Sequence, residues 1–359
     1  SMPVCHPTRV CLMTGKYPFR LGNPRWGSFP KSEEQRTVAH VLRRAGYATA
    51  VVGKWQLTLL KKNPDHPRQL GFDVSALFGW HEGPRYYEPM IYQNGKVRDD
   101  LAGRFGPDVY CDVLIDFMRK NKDRPFFAYY PMALCHDVTD DLKEPVPRGP
   151  KGRYDNFKEM VEKTDERVGR LVKAVDELGI RKHTLILFTG DNGTPKSYIH
   201  SAVDGKLIRK KIVSKMGDQT VLGGKGQLTN AGTNVPLIAN WPGTIKGKQV
   251  VNDLVDFSDF LPTFAELAKA SVPEGIDGRS FACRLKSGKP SPRTWAFAEG
   301  RGKRFVRTVK WKLYSDGRLF DVAADSLETK QGIARDGDAA EARAALQKAL
   351  DNLGQPGDR

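Results

Sequence analysis

Ala45-Gly46-Tyr47-Ala48-Thr49-Ala50-Val51-Val52-Gly53-Lys54-Trp55 is the stretch that sets the fold class. From Tyr47 to Gly53 it carries no charge, and after Tyr47 every residue is small or β-branched, which reads as a strand buried on both faces. Just ahead, Thr37 can cap a helix carrying Val38, Val41, Leu42 and Ala45, and Gly46 can end it. The same helix-then-strand unit recurs twice. Pro107 opens a helix with Val109, Val113, Leu114, Phe117 and Met118, and the apolar run Phe126 to Met132 follows. Tyr154 to Gly179 keeps a helical period, and Thr184 to Thr189 follows as another apolar run. Repetition of this unit predicts an α/β fold with a mostly parallel central sheet sandwiched by helices.

Open sheets of this kind bind ligands beyond the carboxyl ends of their strands. Three polar groups fall at such ends. Lys54-Trp55-Gln56 follows the first strand, His136 follows the second, and Asp191-Asn192 follows the third. Lys54 there is either an anion partner or a solvated loop lysine. His136 is a candidate general acid or base, or a structural histidine. Asp191 and Asn192 offer hard oxygen donors suited to Ca²⁺ or Mg²⁺, or form an ordinary Asp-Asn-Gly turn. Further on, Gly223-Gly224-Lys225-Gly226 is glycine-dense around one cation. It lacks P-loop spacing but suits close approach to an anion.

The start of the chain adds a nucleophile. Cys5-His6-Pro7-Thr8-Arg9-Val10-Cys11-Leu12-Met13-Thr14-Gly15 reads as a short helix with Pro7 in its first turn and Gly15 at its end. Cys5 then sits at the helix N-terminus, where free backbone N–H groups favour an anion. Arg9 lies one turn on and can reach back beside it. A reactive thiol facing an anionic group is one reading; a buried structural cysteine beside a solvated arginine is the other.

Composition narrows the partners. The 359 residues include 58 Lys and Arg against 42 Asp and Glu, a formal charge of +16, which favours anionic partners through long-range steering. Lys206, Arg209, Lys210, Lys211 and Lys215 cluster within a basic stretch from Pro195 to Gly217, read as an insertion. No aromatic residues interleave with those cations as base stacking needs, so nucleic acid is not expected. No apolar run approaches the ~20 residues of a membrane helix, and no secretory leader is visible. The five cysteines match no zinc spacing and suggest no disulfide framework. Lys61 to Gly106 reads as a long loop whose aromatics, Phe78, Trp80, Tyr86, Tyr87 and Tyr92, are core or substrate-facing. From Ser291 short strands with glycine turns, then an Ala-rich helix from Asp338 to Leu353, predict a small antiparallel α+β subdomain. The expected domains are therefore 1–290 and 291–359.

Several of these stretches together resemble the sulfatases of the alkaline-phosphatase superfamily. Cys5-x-Pro7-x-Arg9 followed by Leu12-x-Thr14-Gly15 is similar to their signature. Ala45 to Trp55, His136, Asp191-Asn192-Gly193, Gly224-Lys225-Gly226 and Val235-Pro236-Leu237-Ile238 follow in family order. Arg318-Leu319-Phe320-Asp321-Val322 resembles their closing segment. The resemblance implies an alkaline-phosphatase-like fold and hydrolysis of a sulfuric ester. It implies that Cys5 is converted to formylglycine by a formylglycine-generating or sulfatase-maturing enzyme. Arg9 would hold the resulting diol, Lys54 and Lys225 would neutralise sulfate oxygens, and His136 would serve the leaving group. Gln56 would contact substrate, and Ca²⁺, or Mg²⁺ in its place, would be held by Asp191 and Asn192. It suggests a periplasmic or extracellular setting and an anionic sulfated substrate such as a polysaccharide.

Three departures stand out. Thr8 replaces the usual Ser, and Gln56 stands where His is common, so it donates a hydrogen bond without shuttling a proton. The family's first strand, with its paired Asp ligands, has no counterpart ahead of Cys5 here. Weak metal binding, poor activity, an exposed sheet edge and self-association are the expectations that follow. Two alternative functions remain: a phosphonate or phosphodiester hydrolase of the same superfamily, and a catalytically silent polyanion-binding fragment.

Overall fold

The computed structural model describes residues 1–136, 157–203, 206–329 and 337–354. The prolines and mixed charge at 140–152 predict a loop, which lies outside the described residues, as does the expected helix start at Tyr154. The helices are α1 Cys5–Thr14, α2 Val38–Arg44, α3 His66–Gln69, α4 Gly106–Asn121, α5 Phe157–Glu177, α6 Asn230–Thr233, α7 Phe260–Leu267, α8 Ala282–Ser287 and α9 Asp338–Leu353. The first eight strands are β1 Ala48–Lys54, β2 Val74–Phe78, β3 Ile91–Gln93, β4 Lys96–Val97, β5 Phe126–Tyr129, β6 Ile186–Thr189, β7 Ser197–Val203 and β8 Lys206–Lys211. The rest are β9 Val213–Met216, β10 Gln219–Leu222, β11 Leu237–Asn240, β12 Ala296–Gly300, β13 Lys303–Arg307, β14 Trp311–Tyr314 and β15 Leu319–Asp321. They fall into two compact units. One comprises Ser1–Pro24, Leu185–Lys196 and Val213–Arg359; the other comprises Arg25–Thr184 and Ser197–Ile212.

The second unit holds a five-stranded sheet in the order β4-β3-β2-β1-β5. β1 is buried along its whole length and runs parallel to both β2 and β5. The small residues of Ala48 to Gly53 let α2 and α4 pack closely on it. Thr37 caps α2 as expected, its hydroxyl accepting from the His40 amide. The expected long loop at Lys61 to Gly106 is corrected in part: it contains β2, β3 and β4. β3 and β4 are antiparallel and turn at Asn94-Gly95, both at positive φ (50° and 85°). Those dihedrals are what a two-residue hairpin turn of the right twist demands. The basic stretch expected as an insertion is also ordered: β7 pairs with β8 in this unit.

In the first unit, β12, β13, β14 and β15 form an antiparallel meander, as the glycine turns predicted. α9 packs on β13 and β14, and Tyr17, Phe19, Phe297, Val306, Leu313 and Leu346 fill the space beneath. α1 lies against α7. Its Val10, Cys11 and Met13 are fully buried, and Gly15, at φ 70°, donates its N–H to the Cys11 carbonyl and ends the helix. Deeper in, Arg293 pairs with Asp259 through two guanidinium nitrogens, both side chains essentially inaccessible to water. β9 and β10 form a short hairpin, and β6 pairs antiparallel with β11.

β5 and β6 correct the sequence reading. Their apolar sequences Phe-Phe-Ala-Tyr and Ile-Leu-Phe-Thr predict strands buried on both faces, yet every residue of both is half-buried. Among the described residues β5 pairs only with β1, and β6 only with β11, so each forms an edge. An edge strand leaves one row of backbone groups without a ladder partner.

One buried contact fixes the segment after β1. The Trp55 indole N–H donates to His66 Nδ1 at 3.0 Å. The ring must be neutral to accept that bond, and burial pushes its pKa from 6.5 down to about 4. The unfolded chain therefore binds a proton that the folded chain excludes between those values, so stability rises with pH across that window. Urea midpoints are expected to fall as pH drops from 6.5 towards 4, and His66→Gln should flatten that limb. Identical limbs in both proteins would show that His66 does not control it.

Candidate active site

The first unit gathers one set of the expected residues around Cys5. Cys5 is the first residue of α1, not the residue before it, and Pro7 is the third. Val4 precedes the helix in extended conformation and supplies no side-chain cap. The helix end thus presents backbone N–H groups beside the thiol, a favourable place for negative charge. Lys225 Nζ donates to Cys5 Sγ at 3.3 Å, and the thiol lies 3.3 Å from Asn192 Oδ1. One turn along α1, buried Arg9 pairs with Asp191 Oδ2 at 3.1 Å. Thr8 has a use of its own: its hydroxyl donates to the Met2 carbonyl at 2.8 Å, tying down the segment that enters the helix.

Glycines bring these groups together by letting backbone touch backbone. A Cβ on Gly193 would lie 1.9 Å from the Ala231 carbonyl oxygen, and one on Gly224 would lie 2.5 Å from Ala231. Gly223 faces the Pro195 carbonyl at 2.0 Å, and Gly232 faces the Gln227 carbonyl at 2.1 Å by the same measure. Hydrogen bonds join the same strands of chain: Gly193 N–H to Gly232 O at 2.9 Å, Lys225 N–H to Thr194 O at 3.0 Å, and Gly226 N–H to Pro3 O at 3.0 Å. Asn192, Lys225 and the start of α1 are therefore laced to one another through the main chain.

The C-terminal meander braces this lacing, which sequence reasoning missed. Lys312, wholly buried on β14, donates to the Leu228 carbonyl at 2.5 Å and pairs with Glu328 at 2.7 Å. Tyr314 donates to the same carbonyl at 3.2 Å, and Glu328 accepts from the Asn230 amide at 3.0 Å. Burial pushes the Lys312 amine down to about 8 despite the carboxylate beside it. The sequence carried no such signal: in Lys310-Trp311-Lys312-Leu313 strand alternation puts both lysines on the face opposite Trp311 and Leu313, which reads as solvent-facing.

The second unit gathers Lys54 and His136 around Trp80. Lys54 is buried at the carboxyl end of β1, its Nζ 5.0 Å from the centre of the Trp80 ring. The His136 ring meets Trp80 edge-on at 5.7 Å. Arg85, buried and absent from the sequence reading, lies over Trp80 at 4.0 Å and over Phe78 at 5.1 Å. Tyr86 donates to the carbonyls of Ala133 and His136, holding the segment after β5. Gly53 makes room for that segment: its φ is 104°, and a Cβ there would fall 2.4 Å from the Pro131 carbonyl, which instead accepts from the Lys54 amide. The long-loop aromatics are thus largely core, with Trp80 a hub for three cationic or ionisable groups. Gln56 is buried at φ 63°, and among the described residues its Oε1 has no hydrogen-bond partner.

The donor set does not fit a calcium site by itself. Asp191 and Asn192 supply three side-chain oxygens at most where Ca²⁺ takes 6–8. Asp191 is engaged by Arg9 and Asn192 by Cys5. Among the described residues no group of three or more His, Cys, Asp or Glu side chains is placed to share a metal ion.

Gly193→Ala tests the lacing. The extra methyl group must displace the Ala231 carbonyl, so the thermal midpoint should drop by several degrees and Asn192 should leave Cys5. Unchanged stability together with an unchanged rate of Cys5 alkylation would refute the role given to this glycine.

Comparison with known proteins agrees with the geometry. The profile of the family described as Sulfatase matches residues 1–270. A second profile, N-sulphoglucosamine sulphohydrolase, C-terminal, matches residues 224–355. N-acetylgalactosamine-6-sulfatase of Rattus norvegicus is 30% identical over 313 residues, which cover 77% of this chain and 55% of that protein. Arylsulfatase A of Homo sapiens is 29% identical over 350 residues, covering 87% of this chain and 65% of that protein. The chain therefore spans between about half and two thirds of the length of these curated relatives. Among solved structures, BT4656 in complex with its substrate D-glucosamine-2-N,6-O-disulfate superposes with a TM-score of 0.74 at 20% identity, covering 100% of this chain and 90% of that one. That likeness bears out the α/β, alkaline-phosphatase-like fold. With the Cys5 signature and its lysine and asparagine partners in place, this chain belongs to the sulfatase family.

Proposed function

We propose that the protein hydrolyses sulfuric esters, with residue 5 as the nucleophile after its thiol is converted to formylglycine by a maturing enzyme. The observation that carries the reading is the convergence of Lys225 Nζ and Asn192 Oδ1 on Cys5 Sγ at the open end of α1. In this account Sγ marks where a diol oxygen would stand. That oxygen attacks sulfur and the bond from sulfur to the ester oxygen breaks. The departing alcohol takes a proton. The second hydroxyl then gives up its proton, the carbonyl reforms and sulfate is expelled. Lys225 and the α1 N-terminus are suited to the charge that develops on sulfate oxygens. Arg9, held by Asp191, fixes the first turn of α1 on which residue 5 stands. The roles that the resemblance assigns to Lys54, Gln56 and His136 are proposals for the same turnover. So is calcium, for which Asp191 and Asn192 are the named ligands; no step here depends on it. BT4656 binds a sulfated glucosamine, and a sulfated sugar is the substrate class proposed for this chain, in keeping with its charge of +16.

Parallel assays on the matured protein with an aryl sulfate and an aryl phosphonate ester test the reading. The sulfate should be the better substrate by at least tenfold. Cys5→Ala should abolish turnover, and Lys225→Ala should lower kcat by about 10²–10³, as loss of one charge-stabilising donor does elsewhere. Preference for the phosphonate would favour the phosphonate hydrolase instead. No turnover of either ester, with salt-sensitive heparin binding, would favour a silent polyanion binder.

Calcium titration of the 359-residue chain is a separate check. Two ligand side chains predict weak, substoichiometric binding at micromolar metal. Stoichiometric tight binding would show that other oxygens complete the site.

A further inference from the structure

The net positive charge is not used up by the residues around Cys5 and Lys54. The second unit carries a cleft of about 490 Å³ lined by Gln35, His40, Arg43, Arg44, Arg68 and Gln69. The lining contains three guanidinium groups and no carboxylate. Arg44 is anchored by a 2.7 Å bond to the Gln35 carbonyl, and His40 Nε2 donates to the Gln69 carbonyl at 2.9 Å. Gln69 receives a bond on its side-chain oxygen from Asn63, which turns its amide nitrogen outward as a donor. Arg43 is half-exposed, with one carboxylate, Asp73, 3.6 Å away. Arg68 is exposed and has no ion-pair partner among the described residues. Two arginines at the end of α2 suit that helix's partial negative charge, worth about half an elementary charge. Arg68 stands in the last turn of α3, a helix of only four residues.

We infer that this cleft is a second anion-binding site, for a sulfate-bearing stretch of a polysaccharide chain, separate from the residues around Lys54. Its place in the fold supports the separation. Asp73, the partner of Arg43, is bonded to Thr49 near the amino end of β1. Lys54 is at the carboxyl end of β1, five residues on, which at ~3.3 Å per residue is roughly 16 Å away. The chemistry supports the ligand. Guanidinium groups match sulfate oxygens in pairs, and glutamine amides suit sugar hydroxyls. No Phe, Tyr or Trp lines the cleft, so bases lack the large rings they stack on and single-stranded nucleic acid is disfavoured. The inference rests on the proposed sulfated-sugar substrate for its choice of polymer, not for the existence of the site.

The test is binding of a heparin-derived hexasaccharide to the whole chain by calorimetry at two salt concentrations. The double variant Arg43→Glu, Arg68→Glu should bind at least tenfold more weakly and lose part of the salt dependence. The control Lys210→Glu, Lys211→Glu should bind as the parent does. Melting curves of all three proteins, which need no enzymatic activity, establish that they are folded, so failure of this site and failure of the hydrolase reading are distinguishable. Aryl sulfate turnover should be unchanged in the Arg43, Arg68 variant. Hexasaccharide affinity equal to the parent's in that variant would overturn the inference. So would tighter binding of a single-stranded oligonucleotide of matched charge.

Discussion

Main chain touching main chain is the constraint on which the candidate site depends. Gly193, Gly223, Gly224 and Gly232 each occupy a place where a single methyl group would collide with a backbone atom. None of the four is needed there for a left-handed dihedral; space is what they supply. Because they yield it, Asn192 on one loop and Lys225 on another can both reach Cys5 on α1. A cation and an amide whose backbone anchors are fixed by main-chain contacts need less reorganisation when charge appears, which is the condition for strong electrostatic stabilisation. Lys312, Tyr314 and Glu328 extend the same rigidity into the C-terminal meander by gripping the Leu228 carbonyl and the Asn230 amide. The small antiparallel sheet is thus part of the support for Lys225.

Much of this was legible in the order of residues, for reasons that differ from place to place. Cys5 at a helix start, β1 from its uniform small apolar run, and the meander from its glycine turns all express local rules, and local rules survive folding. β2 was hidden because five residues between turn formers carry too little pattern to separate from loop. The Asn94-Gly95 hairpin has its signal in that dipeptide, but the aromatics around it mask the alternation that flanking strands should show. β5 and β6 have the composition of central strands, but burial is decided by neighbours, and a strand's own residues do not report whether both edges are paired. Trp80 stands out as an aromatic, yet its role as a platform under Lys54, Arg85 and His136 depends on two distant segments, the end of β1 and the chain beyond β5. Arg85 carries no motif at all.

Two of the three departures from the family pattern acquire different meanings. Thr8 keeps a hydroxyl that bonds the Met2 carbonyl, so the exchange of Ser for Thr costs nothing that the structure uses. Gln56 is a larger change. It is buried, strained into positive φ, and its carbonyl oxygen has no partner among the described residues. A group held that way is ready to accept a hydrogen bond from a substrate hydroxyl or a water, but not to carry a proton between pH 5 and 8, where histidine would.

Attack on sulfur by residue 5 is the central claim. The Cys5→Ser variant puts it to the most direct measurement, since a serine side chain offers one hydroxyl and lacks the second that would expel sulfate. After incubation of this variant with an aryl sulfate, mass spectrometry of the peptide bearing residue 5 should show one sulfuryl group on the introduced hydroxyl, with a single equivalent of phenol released. Catalytic release of phenol over many turnovers, with the residue-5 peptide unmodified, would contradict the account.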